Sequence, residues 1–397
     1  MLKRIDLAKA NVARSNTIRD INRQIVLNYI REKGPISRAE IAGETRLQRS
    51  TISLIVEQLK DIGLIEEVDG ESSGGRPPAL LTLRTGHPVA IGIDLGTSKT
   101  TVATCDLTGR IIDKEVFWTD PDPGKTTESI LGSVNKLISN NGNTIEGIGI
   151  SLPALVDARQ GRIIYNPHLK WQKPGIIDRI RSETKLAVTV DNDANAAALA
   201  ELWFGRPEIQ DIRDFILVYI ENGIGTGVVL DGQIYRGSGG LAGEFGHMTL
   251  GADAPVACAN GNFDCWEAFA SERSALARYA KLLGNPENAH RISFIELVAL
   301  AYQQDKNALD ALMETARYIG IGIGNLIQGL SPEAIIVGGS VVNAWPLIGD
   351  EIKAGANSGV CQGISTTKII PSTLGPDPAL LGTFSLVLAE KFASVSF

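Results

Sequence analysis

Cysteine and long apolar runs are both scarce in this sequence. Only four cysteines occur in 397 residues, at Cys105, Cys258, Cys265 and Cys361, which is too few for the disulfide framework of a small secreted protein. No uncharged apolar stretch approaches the length that spans a bilayer, and polar residues interrupt the region where a signal peptide would place its apolar core. We therefore expect a cytoplasmic protein without membrane contact.

The composition shows neither a shortage of apolar residues nor an excess of charge, so disorder is not indicated. Hydrophobic residues make up 44% of the chain and charged residues 21%, the balance of an ordinary globular protein. The length exceeds what one hydrophobic core usually serves. We therefore expect two or three packed domains.

Charge is unevenly distributed along the chain. The formal net charge is −7, yet residues 1–65 contain 12 Lys and Arg against 7 Asp and Glu. A basic segment joined to an acidic remainder attracts nucleic-acid phosphates locally, while the rest of the molecule repels nonspecific contact. A solvated helix face explains the same charges, so the asymmetry favours a nucleic-acid partner without establishing one.

The basic segment has the pattern of three helices and a wing. Ser37 with Glu40 three residues later is typical of a capping box, and another helix is predicted from about Arg49 to Gly63. The residues expected to face inward from the first and third helices are Ile18, Ile21, Ile25, Tyr29, Ile52, Ile55, Leu59 and Ile62. Apolar runs at 64–68 and 79–83 flank a loop rich in Gly, Ser and Pro. Residues 1–86 are therefore predicted to form a winged helix-turn-helix domain with its linker.

Polar side chains gather at the start of the third predicted helix. In a helix-turn-helix this helix enters the major groove, where Gln and Arg form paired hydrogen bonds with base edges. The residues predicted to contact bases of double-stranded operator DNA are Gln48, Arg49, Ser50, Thr51 and Ser53. Arg38 and Lys60 are placed for phosphates, and Arg76 in the wing for a minor groove. The alternative is a module for protein contact.

From residue 89 onward, apolar strands alternate with Gly-rich turns and amphipathic helices. The order of strand, turn, strand and helix that begins at residue 90 starts again at residue 215. This repetition predicts two similar α/β lobes with a cleft between them. We expect one lobe at about 87–200, completed by the C-terminal helix, and the other at about 201–385.

Three short motifs of the body stand out. They are Gly243 to His247, with the order Gly-Glu-Phe-Gly-His; Cys265 to Glu267; and the pair Asn192-Asp193. These resemble elements of the ROK family, whose members are sugar kinases or repressors with an added winged helix. The loop at 73–78 looks most like that of the xylose-repressor branch. The resemblance covers nearly the whole chain and implies an α/β fold class, with the winged helix-turn-helix before an actin-like, hexokinase-like ATPase fold of two lobes.

A sugar site is the first implication of this resemblance. Its residues are Asn192, Asp193, Glu244, His247 and Glu267. Carboxylates with an amide suit a sugar because each hydroxyl both donates and accepts hydrogen bonds, and such a site rejects analogues that leave its polar groups unpaired. In the family's kinases the residue matching Asp193 is the general base. A polar turn that caps the following helix explains residues 192–195 as well.

Zinc is the second implication, because the family holds it with one His and three Cys. His247, Cys258 and Cys265 match this set, but Asn260 stands where the family has another cysteine. Water or Asn260 would then complete the tetrahedron, whereas structural zinc sites usually have four strong protein ligands. Bound zinc and two free buried thiols near a histidine remain alternatives.

The phosphate-binding loops argue against catalysis. Asp94 and Gly96 keep much of the first loop, but Glu221 and Asn222 replace the Gly and Thr of the kinases' second loop. A carboxylate repels phosphate oxygens, so ATP is not expected to bind well, unless Glu221 turns to solvent or meets magnesium. We therefore predict a sugar-responsive repressor rather than an enzyme. An ATP-dependent sugar kinase and a body that serves only as a scaffold are the alternatives.

Two further expectations concern the surroundings of the site and the assembly. His168 and Asn166, beside Trp171, either border the sugar pocket or lie in a surface loop. Symmetric DNA sites require at least a dimer, so we expect a homodimer or homotetramer. Amphipathic helices around 279–283 and 311–327 are candidates for its interface, with core packing as the alternative.

Overall fold

The computed structural model describes residues 15–70, 78–141, 145–169, 171, 175–205, 212–285, 291–361 and 367–392. Its N-terminal head contains three helices and a small sheet with the strand order β1, β3, β2. These elements are α1 (Ser15–Lys33), β1 (Ile36–Ser37), α2 (Arg38–Thr45), α3 (Arg49–Asp61), β2 (Ile65–Asp69) and β3 (Ala79–Leu83). The antiparallel pair of β2 and β3 is the predicted wing. Arg76, which we assigned to a minor groove, lies outside the described residues.

Helix α2 begins with the predicted capping box. The Ser37 hydroxyl accepts a hydrogen bond from the Glu40 amide at 3.2 Å, and the Glu40 carboxylate accepts one from the Ser37 amide at 2.8 Å. Two amides that the first helical turn would leave without partners are thereby satisfied. This cap fixes the point where the chain turns into the helix-turn-helix.

The buried face of α1 differs from the predicted one. Val26 and Ile30 lie in the core, whereas Ile18 is 51% and Ile25 37% exposed, and Ile62 beyond the end of α3 is 60% exposed. The head core forms where α1 meets α3 and β3. Apolar periodicity along one helix does not reveal which of its rows the neighbouring elements cover. For α3 the prediction was correct at Ile52, Ile55 and Leu59, which are buried.

The first body sheet has the strand order β10, β7, β4, β5, β6. Its strands are β4 (Ala90–Leu95), β5 (Lys99–Cys105), β6 (Ile111–Trp118), β7 (Gly147–Leu152) and β10 (Ala187–Asn192), and a separate hairpin joins β8 (Leu155–Asp157) to β9 (Arg162–Tyr165). The accompanying helices are α4 (Pro123–Asn141), α5 (Ile176–Thr184), α6 (Asp193–Phe204) and α12 (Pro378–Phe392). Helix α12 returns from the end of the described chain to pack on β4, β7 and α6.

The second body sheet has the strand order β13, β12, β11, β14, β15. Its strands are β11 (Phe215–Ile220), β12 (Ile224–Leu230), β13 (Gln233–Ile234), β14 (Ala334–Gly339) and β15 (Lys368–Pro371). The helices are α7 (Trp266–Ala270), α8 (Glu272–Leu282), α9 (Phe294–Tyr302), α10 (Lys306–Leu330) and α11 (Trp345–Ser358). The apolar row of α10 from Ala311 to Ile327 lies in the core of this lobe, so core packing accounts for it.

The two body sheets share their connectivity, as the repeated sequence pattern predicts. In each, an antiparallel hairpin (β4–β5 or β11–β12) is followed by a strand parallel to its first member (β7 or β14). The duplication explains why the chain restarts the same apolar pattern at residue 215. Within the described residues no helix is both long and apolar enough to span a bilayer.

Helices α6 and α12 approach each other without room for a side chain between them. A methyl group added to Gly382 of α12 would lie 1.8 Å from the carbonyl oxygen of Ala196 in α6. Backbone atoms cannot yield as a flexible side chain can, so any larger residue must push the helices apart. Glycine at this position is therefore a packing requirement.

We predict that Gly382→Ala lowers the free energy of unfolding by roughly 1–3 kcal/mol, because overpacking a tight contact forces backbone shifts. Gly132→Ala in α4 is the matched control, since nothing lies within 4 Å of an added methyl group there. That change should stabilise the protein by about 0.5–1 kcal/mol, as alanine favours a helix over glycine. Chemical denaturation of both variants is the measurement, and equal stabilisation by the two changes would contradict the packing argument.

Candidate functional site

A cleft of about 580 Å³ opens in the body and is lined by residues from both of its sheets. The residues predicted for sugar contact all line it: Asn192, Asp193, Glu244, His247 and Glu267. His168 lines it as well, from the turn that follows β9, so this residue lies both in a loop and at the cleft. The neighbouring Asn166 is buried, and its side-chain oxygen accepts from the Leu169 amide at 2.9 Å. Elements distant in sequence thus bring one set of polar side chains together.

Asn192 and Asp193 lie where β10 passes into α6. The Asn192 side-chain oxygen accepts from the amides of Ala194 at 2.9 Å and Asn195 at 3.3 Å, so this residue is the N-cap of α6. The polar-turn explanation is therefore correct, and it holds together with a place in the cleft. Burial raises the pKa of Asp193 to about 7, and the nearby charge of Asp94 adds to the effect. A carboxyl group whose pKa lies near 7 is suited to accept a proton at neutral pH.

Glu267 is anchored from several directions at the floor of the cleft. It is 2% exposed, and its carboxylate accepts from the amides of Ala259 at 2.8 Å and Ile224 at 3.3 Å and from the Arg273 guanidinium at 3.2 Å. A methyl group on Gly223 would lie 2.7 Å from this carboxylate. The close approach of the β11–β12 turn therefore requires glycine and leaves Glu267 with a fixed orientation.

His168 and Glu244, which both interact with the charge of Glu267, have shifted pKa values. Burial lowers the pKa of His168, while the charge of Glu267 opposes that shift. Burial raises the pKa of Glu244, which His247 partly offsets. A neutral imidazole can donate from one nitrogen and accept at the other, as a sugar hydroxyl requires.

Asp191 and Arg236 form an ion pair that the sequence did not indicate. The guanidinium donates from Nε at 3.0 Å to the Asp191 carboxylate, which is 1% exposed and also accepts from the Asn195 side chain at 3.1 Å. The pair ties the strand before α6 to the loop that leads to Glu244. It positions the two sugar-predicted segments relative to each other.

The other end of the cleft is rich in carboxyl groups. Glu221 does not turn to solvent, because its carboxylate accepts from the Ser340 amide at 3.2 Å. The Ser340 hydroxyl in turn donates to Glu272. Burial raises the pKa of Glu221 to about 7, that of Glu272 to about 8 and that of Asp94 to about 6. Burial thus disfavours the ionisation of all three acids, of which Asp94 and Glu221 line the cleft together with Lys99 and Lys114.

The residues predicted for zinc are close together. One donor atom from each of His247, Cys258 and Cys265 lies within 4.8 Å of the others. His247 Nδ1 is buried without a hydrogen-bond partner in the described structure, whereas its Nε2 lies 3.4 Å from the Asn260 side-chain nitrogen. Burial raises the pKa of the Cys265 thiol to about 12, with the Cys258 thiol contributing. A histidine ring beside two thiols, with one buried nitrogen that lacks a hydrogen-bond partner, fits a metal ion better than it fits an apolar core.

The predicted base-reading residues lie at the exposed start of α3. Gln48 is the N-cap of that helix, and Gln48, Arg49, Ser50 and Ser53 are exposed while Thr51 is half-buried. No acidic side chain among the described residues forms an ion pair with Arg49. Arg38, predicted for phosphates, instead pairs with Glu57 at 2.8 Å and Glu67 at 2.7 Å. Lys60 also reaches Glu67, at 3.2 Å.

Comparison with known proteins agrees with both halves of this description. Residues 90–390 match the ROK family, and residues 19–66 match a winged helix-turn-helix DNA-binding family. The chain therefore belongs to the ROK family and carries a winged helix-turn-helix in front of the family's body. Both the fold and the family that the sequence predicts are confirmed.

Individual relatives include regulators and kinases. The xylose repressor of Bacillus spizizenii is 32% identical over 391 residues, covering 97% of this chain and 99% of that protein. A solved ROK family transcriptional regulator, a homologue of the E. coli MLC protein, aligns with a TM-score of 0.76 at 28% identity over 95% of this chain and 99% of its own. A ROK family glucokinase from Streptomyces griseus, in complex with glucose and AMPPNP, aligns with a TM-score of 0.65 at 28% identity, covering 74% of this chain and 97% of its own. The kinase-like part is thus the body alone, while the regulators match the head as well.

The raised pKa of Glu221 predicts a stability that depends on pH. Because the pKa of Glu221 is raised to about 7, the folded protein retains a proton that the unfolded chain releases near pH 4.5, and stability falls as the pH rises between these values. Glu221→Gln keeps an oxygen for the Ser340 amide and removes the ionisation. We expect it to stabilise the protein by roughly 1–3 kcal/mol at pH 8.5 and by much less at pH 5.

Urea denaturation at both pH values tests this prediction. Asp310→Asn is the control, because that exposed carboxylate lies on the same lobe outside the cleft. A gain for Glu221→Gln that is the same at pH 5 and pH 8.5 would show that its ionisation costs nothing.

Proposed function

We propose that this protein is a repressor of carbohydrate-utilisation genes, and that a sugar bound in the cleft controls its affinity for operator DNA. The observation that carries the proposal is the convergence of five sugar-type polar residues on one cleft, which Asp94, Glu221 and Asp377 also line. The full-length match to a xylose repressor supports xylose or a related sugar as the effector. No catalytic residue is assigned.

The sugar end of the cleft has the donors and acceptors that a ring of hydroxyls requires. Glu267 offers a fixed carboxylate, Glu244 a second one open to the cleft, and His168 a ring that donates and accepts. We assign sugar contact to these groups together with Asn192, Asp193 and His247. A ligand lacking one hydroxyl would leave such a group unpaired, which costs about 1–3 kcal/mol.

The end of the cleft that Asp94 and Glu221 line supports a sugar sensor over a sugar kinase. When Glu221 is ionised, above its pKa of about 7, a phosphate oxygen about 4 Å away is repelled by ~1 kcal/mol in water-like surroundings and by ~4 kcal/mol at an intermediate dielectric. The Ser340 amide, which would be free to donate to an anion, already donates to Glu221. One observation favours a sugar kinase as second candidate: the pKa of Asp193 near 7 suits a general base.

The DNA end of the molecule is α3 with the wing. We assign base contacts to Gln48, Arg49, Ser50, Thr51 and Ser53, and a minor-groove contact to Arg76.

We further propose a homodimer or homotetramer, since paired heads are needed for a symmetric operator. With α10 committed to the core, Leu282 and Leu283 at the exposed end of α8 are the remaining candidates for that interface.

The proposal is tested by measuring operator affinity with and without each of a panel of pentoses and hexoses. We expect one sugar to raise the melting temperature and to change the operator Kd, with no release of ADP when ATP is added. Arg49→Ala should weaken binding by ~1–3 kcal/mol at one operator base pair and leave the sugar-induced thermal shift intact. Steady ADP formation at ordinary kinase rates would instead establish the second candidate.

We also propose that His247, Cys258 and Cys265 hold one zinc ion with a water molecule as the fourth ligand. His247 Nδ1 is buried without a hydrogen-bond partner in the described structure, and the three donor atoms lie within 4.8 Å of one another, which supports a shared metal ion. When bound, zinc supplies a cross-link between the His247 turn and the cysteine loop. His247, which lines the cleft, would thereby be held in place.

Asn260→Cys tests this assignment by supplying the thiolate that the set lacks. We expect the variant to bind zinc roughly tenfold or more tightly, which corresponds to about 1.4 kcal/mol, because a fourth strong ligand replaces water. Competition with a chelator followed by metal analysis gives the affinity, and Cys258→Ser is the control that should abolish binding. Absence of zinc from both the native protein and Asn260→Cys after reloading would refute the site.

A further inference from the structure

Helices α6 and α12 both run from the cleft to the DNA-binding head. Helix α6 starts with Asp193, and α12 starts beside Asp377 and Ala379, which also line the cleft. With 12 and 15 residues, the two helices extend about 18 and 22 Å at the usual rise per residue. At their far ends lie Trp203 and Phe392.

These far ends meet α1 of the head through aromatic rings and a guanidinium. The Arg31 guanidinium carbon lies 4.4 Å from the ring centre of Trp203 and 5.2 Å from that of Phe392. The two rings meet edge to face with centres 5.6 Å apart. The Asn28 side chain donates to the Phe392 carbonyl at 2.7 Å. One residue of the head is thus held between one residue from each helix.

The contact is continuous with the core of the head. Val26, Leu27 and Ile30 of α1 belong to the same buried cluster as Leu380, Phe384 and Leu388 of α12. At Gly382 the two body helices touch backbone to backbone. A displacement at the cleft end of either helix is therefore carried to α1 by the pair as one block, since packed cores transmit strain rather than absorb it.

We propose that Arg31, Trp203 and Phe392 are positioning residues that couple sugar occupancy to the orientation of the head. This inference rests on the proposed function, because it names how the cleft acts on the DNA site. The sugar changes operator affinity only if it binds two arrangements of the head with different affinities. The cation between two rings stabilises one of these arrangements. None of the three residues is among those that line the cleft.

The closing experiment measures the ratio of operator Kd values with and without saturating sugar, using whichever pentose or hexose alters wild-type operator binding. Trp203→Leu keeps an apolar side chain at this position and removes the ring that faces Arg31. We expect it to reduce the sugar-induced change in operator Kd by about 5- to 30-fold, the equivalent of a partly buried cation–π contact. The sugar Kd should change less than the operator Kd ratio does.

Variants of the cation provide the readout that a merely structural role would not alter. Arg31→Met should lose the coupling, and Arg31→Lys should restore much of it, because an ammonium also interacts with the rings. Arg23→Met is the matched control, since Arg23 is a largely exposed residue of α1 that pairs with Asp20. It removes the same charge from the head and should leave the sugar effect unchanged.

The outcomes separate this inference from the proposed function. If no sugar alters wild-type operator binding, the proposed function fails and the inference falls with it. If wild type responds and both Trp203→Leu and Arg31→Met respond equally well, only the inference is overturned. If Trp203→Leu does not fold, the comparison of Arg31→Met with Arg31→Lys decides alone. Equal loss in the Arg23→Met control would assign the effect to charge on DNA and also overturn the inference.

Discussion

Helix α12 packs so closely on the first body sheet that strands β4 and β7 have glycine where they contact the helix. A methyl group on Gly149 would lie 1.9 Å from the Thr383 carbonyl oxygen, and one on Gly92 would lie 2.1 Å from the Thr383 hydroxyl. With Gly382 against α6, the helix is held by backbone contact on two sides. No flexible side chains separate these elements at the contacts, so we expect the sheet, α6 and α12 to move as one rigid body. Every other property of the body depends on this block, because it carries the cleft at one end and meets the head at the other.

The cleft joins two kinds of polar environment. At its sugar end, carboxylates are satisfied by amides and a guanidinium, as at Glu267. At its other end, Glu221 accepts from the amide of Ser340 and Glu272 from the hydroxyl of the same residue, and burial makes their ionisation costly. A neutral, hydroxyl-rich ligand is compatible with both environments. This difference between the two ends supports the proposal that the cleft binds a sugar without phosphorylating it.

Much of this architecture was predictable because its signals are local. The capping box at Ser37 and the strands of both lobes follow from patterns within a few positions, and the five sugar-type residues follow from the resemblance of short motifs to the ROK family. The unpredicted features join residues that are far apart in sequence: Arg236 lies 45 positions from Asp191, and Ser340 lies 119 positions from Glu221. No spacing rule covers such pairs. The buried row of α1 was missed for the same reason, since the elements that cover it come later in the chain.

The ion pairs around Arg38 have a consequence for how the head meets DNA. Arg38 and Lys60 are already balanced by Glu57 and Glu67 within the protein. If either cation moved to a backbone phosphate, the released carboxylates would gather cations from solution while the DNA gave cations up. The net release of cations normally sets a slope of about −0.9 per phosphate contact in a plot of log affinity against log salt. Because the carboxylates take up cations, this net release becomes smaller. Operator binding by this head would decline less steeply with ionic strength than its number of basic side chains suggests.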